Sequence, residues 1–205
     1  MLWGVDSLLE TDVLVDFVKQ IKPKAVLEVG CNYGRELKLL EDFTNVYGID
    51  TNEKEINKAQ KYIPTGTFTV ANGLKIPYDD NTFDLVYTVG CLSHNKETKV
   101  EGILDELLRT STSYVLTIEW IGTKTSPTTY GNCKENTWVH DYEKLWALKN
   151  VKVCFNRKIP VGADLFHVML VKKEKEKEKF KKVLIMQKET PRFSFRWWKI
   201  KFEVY

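Results

Sequence analysis

The sequence predicts an α/β protein with a doubly wound, mostly parallel sheet of seven strands between two layers of helices. Short apolar runs alternate with helical segments between residues 25 and 120, and this alternation with short connections is typical of parallel βαβ units. The first apolar run also ends in a glycine-rich turn, where α/β proteins hold nucleotide-like cofactors. With 205 residues, the chain is long enough for one well-buried domain.

The predicted elements follow one another along the chain. Ser7 and Glu10 form a capping box before a helix that ends near Pro23. Strands are predicted at residues 25–29, 45–50, 67–71, 83–89, 113–120, 151–156 and 165–171. Further helices are predicted at residues 34–43, 53–62, 97–109 and 141–148. Residues 121–138 read as a long polar loop, and the whole domain is expected to span residues 1–171.

The charge is unevenly distributed between this domain and the tail. Residues 1–171 contain 19 basic and 23 acidic residues, a net charge of −4, whereas residues 172–205 contain 12 and 5, a net charge of +7. Within the tail, residues 191–205 interleave aromatic residues with cations, which suits a lipid headgroup boundary, stacking on bases or an added strand. We expect this segment to contact an anionic membrane surface or a partner subunit. A nucleic acid partner is disfavoured because the domain itself is not basic.

Targeting signals and metal motifs are missing from the sequence. No stretch approaches the ~20 apolar residues that cross a bilayer, and residues 1–12 carry acids where a signal peptide would carry lysines. We therefore expect a cytoplasmic protein, with the tail allowing peripheral membrane contact. The four cysteines lie far apart without a C-x-x-C pair, so neither a zinc site nor a disulfide framework is predicted.

The glycine-rich turn reads Glu28-x-Gly30-x-Asn32-x-Gly34. A dinucleotide-binding loop needs G-x-G-x-x-G, but Asn32 and Arg35 stand at its second and third glycine positions, and the G-K-S/T of a P-loop is absent. The turn instead resembles motif I of the class I S-adenosylmethionine-dependent methyltransferases. Asparagine replaces the middle glycine of that motif and is among the residues that best tolerate a positive φ.

Other segments carry the same resemblance, which covers residues 24–171. Asp50 ends the second predicted strand, 20 residues after Gly30, where an acid accepts hydrogen bonds from ribose hydroxyls. Residues 71–86 resemble the family segment that faces adenine, and residues 87–94 resemble the segment that lines the acceptor pocket. The resemblance implies a Rossmann-like fold and S-adenosylmethionine as cofactor. The implied cofactor-binding residues are Glu28, Gly30, Asn32, Gly34, Asp50, Asn72 and Gly73, the last through its backbone.

A narrower set of motifs points to one group within this family. "EVGCNYGREL", "YVLTIEW" and "WVHDY" are together similar to methylases found with pseudaminic acid biosynthesis, which characteristically carry Gly-Cys-Asn-x-Gly-Arg in motif I. This likeness implies a sugar hydroxyl as the methyl acceptor.

A hydroxyl acceptor must lose its proton, so a general base is expected. His94, just past the fourth predicted strand, either is this base or caps the helix that follows. Glu119, at the end of the fifth predicted strand, binds the acceptor, acts as base or forms a surface ion pair. His140 and Asp141 are expected to start a helix, with Asp141 as N-cap, in preference to forming a catalytic pair. No metal ligands are predicted.

The sequence thus predicts an S-adenosylmethionine-dependent methyltransferase that acts on a small-molecule or glycan hydroxyl. Two alternatives stay open: an RNA or protein methyltransferase whose basic tail holds the substrate, and a non-catalytic cofactor-binding or scaffold subunit. The sequence lacks a D/N-P-P-Y motif and a Pro-Cys dipeptide, which disfavours methylation of bases in nucleic acids.

Overall fold

The computed structural model describes residues 8–123, 133–134, 137–161 and 163–174. The chain divides into two units, Met1–Lys173 and Glu174–Tyr205, and the helices and strands of the described residues belong to the first. The predicted capping box at Ser7 and the predicted contacts of residues 191–205 lie outside the described residues and stay predictions. Among the described helices, none has the length and apolarity that crossing a membrane requires.

The secondary structure consists of short strands and helices. The strands are β1 (Ala25–Val29), β2 (Asn45–Asp50), β3 (Thr67–Val70), β4 (Phe83–Val89), β5 (Ser111–Thr123), β6 (Cys133–Lys134), β7 (Thr137–Trp138), β8 (Val151–Val161) and β9 (Asp164–Lys173). The helices are α1 (Leu8–Ile21), α2 (Arg35–Lys38), α3 (Glu53–Tyr62), α4 (Glu97–Thr110) and α5 (Tyr142–Ala147), and a 3-10 turn spans Leu92–His94.

Seven strands form one sheet in the order β3-β2-β1-β4-β5-β9-β8, and β6 pairs with β7 separately. The neighbouring pairs among β1 to β5 are parallel, whereas β9 runs antiparallel to both β5 and β8. The predicted doubly wound, mostly parallel sheet of seven strands is confirmed. The strand order reverses between β1 and β4, so the carboxyl ends of these two strands border the crevice where open α/β sheets bind ligands.

Burial explains why the central strands read as continuous apolar runs. β1 and β4 are buried along nearly their whole length, as expected for parallel strands covered on both faces. Helix α4 places Val100, Ile103, Leu104 and Leu107 on one buried stripe. This stripe packs in one core with residues of β1, β4 and α5, and it thereby holds the loop that precedes α4 over the end of the sheet.

The predicted bounds differ from the structure where long-range pairing decides them. β5, β8 and β9 are longer than their apolar runs, because the antiparallel ladder continues through polar residues as far as the Thr123–Asp164 pair. α2 is shorter than the predicted helix at 34–43. Hydrogen bonds between residues three apart follow it, among them the one from Leu39 N to Glu36 O (3.1 Å), and they replace the α-helical pattern.

Arg109, in the last turn of α4, holds the connection between β3 and β4. Its guanidinium donates to the carbonyl oxygens of Ile76 and Tyr78, both at 2.9 Å. It also donates to the carboxylates of Asp80 (2.8 Å) and Glu106 (2.7 Å). Glu106 in turn accepts from the backbone nitrogen of Ile76 at 2.7 Å, so one cation organises the whole connection.

We expect Arg109→Ala to lower the free energy of unfolding by about 2–3 kcal/mol, because several hydrogen bonds to a charged group are lost. Arg109→Lys is the matched control, since it keeps the charge but cannot reproduce the planar fork of donors. Urea denaturation followed by circular dichroism measures both variants. We expect the lysine to recover less than half of the loss; full recovery would show that charge alone is needed.

Candidate active site

The glycine-rich turn after β1 places alternate residues in the left-handed region of backbone conformation. Gly30, Asn32 and Gly34 have φ values of 81°, 51° and 84°. Asn32 thus adopts the positive φ that its place in the motif predicts. The backbone nitrogens of Gly30 and Cys31 donate to Ile49 O at 2.8 and 3.0 Å. The turn is therefore sharp, and it is fastened to β2.

Gly30 also permits a second loop to approach closely. A Cβ atom at residue 30 would lie 2.5 Å from Cys91 Sγ and 2.8 Å from Cys91 Cβ. Cys91 belongs to the segment that follows β4. The ends of β1 and β4 therefore meet through Gly30 and Cys91, and a side chain on residue 30 would push the two loops apart.

Asp50 lies at the end of β2, beside the glycine-rich turn. Its Oδ2 accepts from Asn32 N and its Oδ1 from Asn52 N, both at 2.9 Å. A carboxylate offers about four acceptor positions, and this side chain is partly exposed, so acceptor positions remain for ligand hydroxyls. Asp50 therefore fixes the backbone of the turn and keeps a partly exposed carboxylate beside it.

Glu28, by contrast, points into the domain. Its side chain is 1% exposed, and the hydroxyl of Tyr87 donates to its Oε2 at 3.2 Å. Burial, followed by the nearby Glu36 carboxyl, raises the pKa of Glu28 well above its usual range. Glu28 supports the turn from inside the domain, and its implied part in cofactor binding stays a prediction.

Asn72 and Gly73 follow β3. The Oδ1 of Asn72 accepts from Leu74 N at 2.9 Å, a local turn typical of asparagine, and the side chain is exposed. A Cβ at Gly73 would lie 3.1 Å from Cγ1 of Val29, the last residue of β1. The structure thus places the backbone of Gly73 against the strand that leads into the glycine-rich turn.

His94 ends the 3-10 turn after β4, and its side chain is exposed. Lys96 is the N-cap of α4, so the alternative in which His94 caps this helix is wrong. Within the described residues, the hydrogen bond that His94 makes comes from its backbone nitrogen, to Cys91 O at 3.2 Å. The imidazole is therefore presented at the ligand-binding end of the sheet.

Glu119 differs from the sequence-based expectation. Its side chain is 0% exposed, and it accepts from Thr88 Oγ1 (2.7 Å) and from the backbone nitrogens of Cys91 (3.3 Å), Leu92 (3.0 Å) and Ser93 (3.3 Å). The expected surface ion pair is wrong, because β5 is an interior strand and backbone donors replace the cation. These donors occupy the carboxylate and disfavour the predicted roles as base or acceptor ligand, which stay predictions. Burial raises the pKa of Glu119 to about 7, and the hydrogen bonds oppose a larger rise.

His140 and Asp141 stand at the start of α5. Asp141 accepts from Lys144 N at 3.0 Å and is the N-cap, so this prediction is confirmed. His140 is buried, its Nε2 lies 2.8 Å from Asn95 O, and burial lowers its pKa. His140 therefore ties the start of α5 to the segment after β4.

Comparison with known proteins shows what this arrangement is similar to. Residues 26–112, from β1 into β5, match the family model described as a methyltransferase domain. The structure of magnesium protoporphyrin IX methyltransferase from Synechocystis PCC 6803 with bound S-adenosylmethionine superposes with a TM-score of 0.65 and 14% identity. It covers 82% of this chain and 80% of that one, which confirms the class I fold.

Relatives by sequence cover part of the chain. The 24-methylenesterol C-methyltransferase 2 of Arabidopsis thaliana is 29% identical over 127 residues, which are 57% of this chain and 34% of that protein. Cycloartenol-C-24-methyltransferase 1 of Oryza sativa subsp. japonica is 36% identical over 105 residues, or 45% and 30% of the two chains. The chain therefore spans about a third of the length of these relatives.

S-adenosylmethionine is the cofactor of class I methyltransferase domains, and the residues of this domain fit it. Gly30 and Gly34 have no side chains, so a ligand can approach the backbone of the positive-φ turn at these residues. Asp50 keeps acceptor positions that ribose hydroxyls could use. Within the described ranges, no group of three or more His, Cys, Asp or Glu residues is arranged to hold a metal ion.

Two residues of β4 that are not among the individually predicted site residues hold the buried acids Glu28 and Glu119. Tyr87 donates to Glu28 and Thr88 donates to Glu119. Because successive side chains of a strand point to opposite faces, these neighbours serve the two acids on opposite sides of the sheet. The signal for them in the sequence is a pair of hydroxyl-bearing residues inside an otherwise apolar strand.

We expect Gly30→Ala to destabilise the domain more than Gly90→Ala. Both glycines have a positive φ, but a Cβ at Gly90 would meet nothing within 4 Å. The left-handed conformation costs an alanine about 1–2 kcal/mol at either position. Overlap with Cys91 should add about 1–3 kcal/mol at residue 30. Equal unfolding free energies of the two variants in urea would contradict the close contact between Gly30 and Cys91.

We expect Asp50→Ala to weaken S-adenosylhomocysteine binding by about 1.5–3 kcal/mol, because hydrogen bonds to a charged acceptor are lost. Isothermal titration calorimetry measures this change. Asp50→Asn keeps one acceptor oxygen and should lose less.

A matched control for Asp50 exists at the opposite end of the sheet. Asp84 also accepts two backbone hydrogen bonds, from Lys24 N (2.7 Å) and Ala25 N (3.3 Å). Asp84→Ala should lower stability and leave cofactor affinity unchanged. An Asp50→Ala variant that is folded and binds with wild-type affinity would remove Asp50 from the cofactor site.

Proposed function

We propose that this chain transfers the methyl group of S-adenosylmethionine to a small-molecule acceptor. The observation that carries the proposal is Asp50, which fixes the glycine-rich turn through Asn32 N and keeps acceptor positions at a partly exposed carboxylate. The names of the two relatives state sterol substrates, and that of the structural neighbour states magnesium protoporphyrin IX. These are small molecules, which favours this class of acceptor over RNA or protein.

The cofactor supplies a methyl group that is already activated on a sulfonium, so the chain mainly has to bind, orient and exclude water. Gly30 and Gly34 allow the backbone of the turn to approach the ligand. Asp50 accepts hydrogen bonds from the ribose hydroxyls, and Asn72 with the backbone of Gly73 faces the adenine. The positions of these residues at the carboxyl ends of β1, β2 and β3 support the proposed roles.

Among small molecules, we propose a hydroxyl acceptor, with a glycan hydroxyl as the first candidate. A hydroxyl must lose its proton during transfer, and an imidazole accepts a proton near neutral pH. His94 supports this proposal because its side chain is exposed just after β4. Glu119 is disfavoured for this role, since Thr88 and three backbone nitrogens donate to its carboxylate.

Transfer of label from methyl-tritiated S-adenosylmethionine tests the proposal. The full chain is incubated in separate reactions with nucleotide sugars, sterols, RNA or peptides. We expect the label to be transferred to a small-molecule acceptor and not to RNA or peptide. His94→Ala should lower turnover with a hydroxyl acceptor by roughly 10²-fold, which is the contribution of a general base.

Titration of His94→Ala with S-adenosylhomocysteine is the control for this experiment. Its affinity should equal that of the wild type, because His94 serves the acceptor in this proposal. Equal loss of cofactor binding would show a structural role for His94. Label found only in RNA or peptide would overturn the small-molecule acceptor.

A further inference from the structure

Glu119 fixes the segment after β4 through the backbone. The nitrogens of three consecutive residues, Cys91, Leu92 and Ser93, lie 3.0–3.3 Å from its carboxylate oxygens. Such convergence of successive backbone donors on one anion fixes the local path of the chain more tightly than a single hydrogen bond does. The segment begins at Gly90, whose nitrogen donates to Ile118 O at 2.8 Å.

We infer that Glu119 is a positioning residue of the cofactor site, which holds Cys91 against Gly30 through the backbone of residues 91–93. This inference rests on the proposed function. Glu119 itself does not contact the ligand, because its side chain is fully buried.

The contact between Cys91 and Gly30 links the position of residues 91–93, which Glu119 fixes, to the glycine-rich turn. The side chain of Cys91 lies where the first side-chain atom of residue 30 would stand, with Sγ 2.5 Å and Cβ 2.8 Å from that point. A small shift of Cys91 therefore changes the space next to the glycine-rich turn. Since Asp50 fixes the other side of the turn through Asn32 N, the turn is held between two acids that act on different loops.

The geometry requires a carboxylate at residue 119. The described ion pairs include none with Glu119, so within these residues its charge is balanced by the four hydrogen-bond donors. A glutamine has the same shape, but its NH2 group must take one of the two oxygen positions, where it opposes either Cys91 N or the nitrogens of Leu92 and Ser93. Glu119→Gln should therefore release this part of the segment while it preserves the volume of the side chain.

Thr117 provides a matched control on the same strand. It lies two residues before Glu119, so both side chains point to the same face of the sheet. Thr117 is 1% exposed, and its hydroxyl has no hydrogen-bond partner among the described residues. Thr117→Val is thus an equally buried, nearly isosteric change that leaves the segment after β4 untouched.

The titratable groups that face Glu119 have pKa values shifted away from the range between pH 6 and 8. Tyr142 of α5 and Cys91 lie near its carboxyl, and burial raises the pKa of both. His167 lies opposite Glu119 on the neighbouring strand β9, and burial lowers the pKa of His167. Glu119, with a pKa raised to about 7, is therefore the group of this set that titrates between pH 6 and 8. Its ionised form, at the higher pH, accepts all of the backbone hydrogen bonds.

Calorimetric titration of the full-length chain with S-adenosylhomocysteine at pH 6, 7 and 8 tests the inference. We expect wild-type affinity to be severalfold higher at pH 8 than at pH 6. Glu119→Gln should bind about 10-fold or more weakly at pH 8 and show a flat profile, whereas Thr117→Val should follow the wild type at each pH.

The outcomes separate this inference from the proposed function. Wild-type affinity in folded Glu119→Gln, or the same loss in Thr117→Val, would overturn the positioning role alone. If Glu119→Gln does not fold, the wild-type profile decides, and an affinity independent of pH overturns the inference. Absence of wild-type binding at every pH would count against the proposed function and remove the basis of the inference.

Discussion

The rest of the candidate active site depends on the close approach of two loops at the point where the strand order reverses. β1 and β4 are neighbours in the sheet, and the loops that leave their carboxyl ends meet where Cys91 lies against Gly30. Because residue 30 has no side chain, the two loops can lie close together at the place where open α/β sheets bind ligands. The positive φ of Gly30 and the short path of the turn follow from the same constraint.

Two acids, one on β2 and one on β5, perform related tasks with different capacities. Asp50 and Glu119 each accept backbone N–H groups from a loop at the edge of the sheet. Asp50 accepts two such bonds and is partly exposed, so it retains capacity for a ligand. Glu119 accepts four bonds and is fully buried, so its effect must pass through the protein. Counting occupied acceptor positions thus distinguishes an acid with capacity left for a ligand from an acid without it.

The parts of this fold that could be predicted are those that local sequence determines. β1, β2 and β4 match their predicted bounds because buried parallel strands are continuous apolar runs. The turn at Gly30 and the place of Asp50 follow from spacing along one βαβ unit. The burial of Glu119 could not be predicted from the sequence. No local pattern shows that the nitrogens of residues 91–93, which follow β4, converge on a side chain of the neighbouring strand β5. The lengths of β5, β8 and β9 likewise depend on pairing between distant segments.

The segment after β4 couples two functions that are often treated separately. Cys91 contacts the glycine-rich turn, and three residues later His94 presents its imidazole. The carbonyl oxygen of Asn95 lies 2.8 Å from His140 Nε2, which links the same segment to the start of α5. A change that moves this segment to suit a different acceptor therefore also moves Cys91 relative to Gly30. Because packed interiors transmit small displacements, the proposed roles of this segment toward cofactor and acceptor would be physically linked, and Glu119 is the acid that binds its backbone.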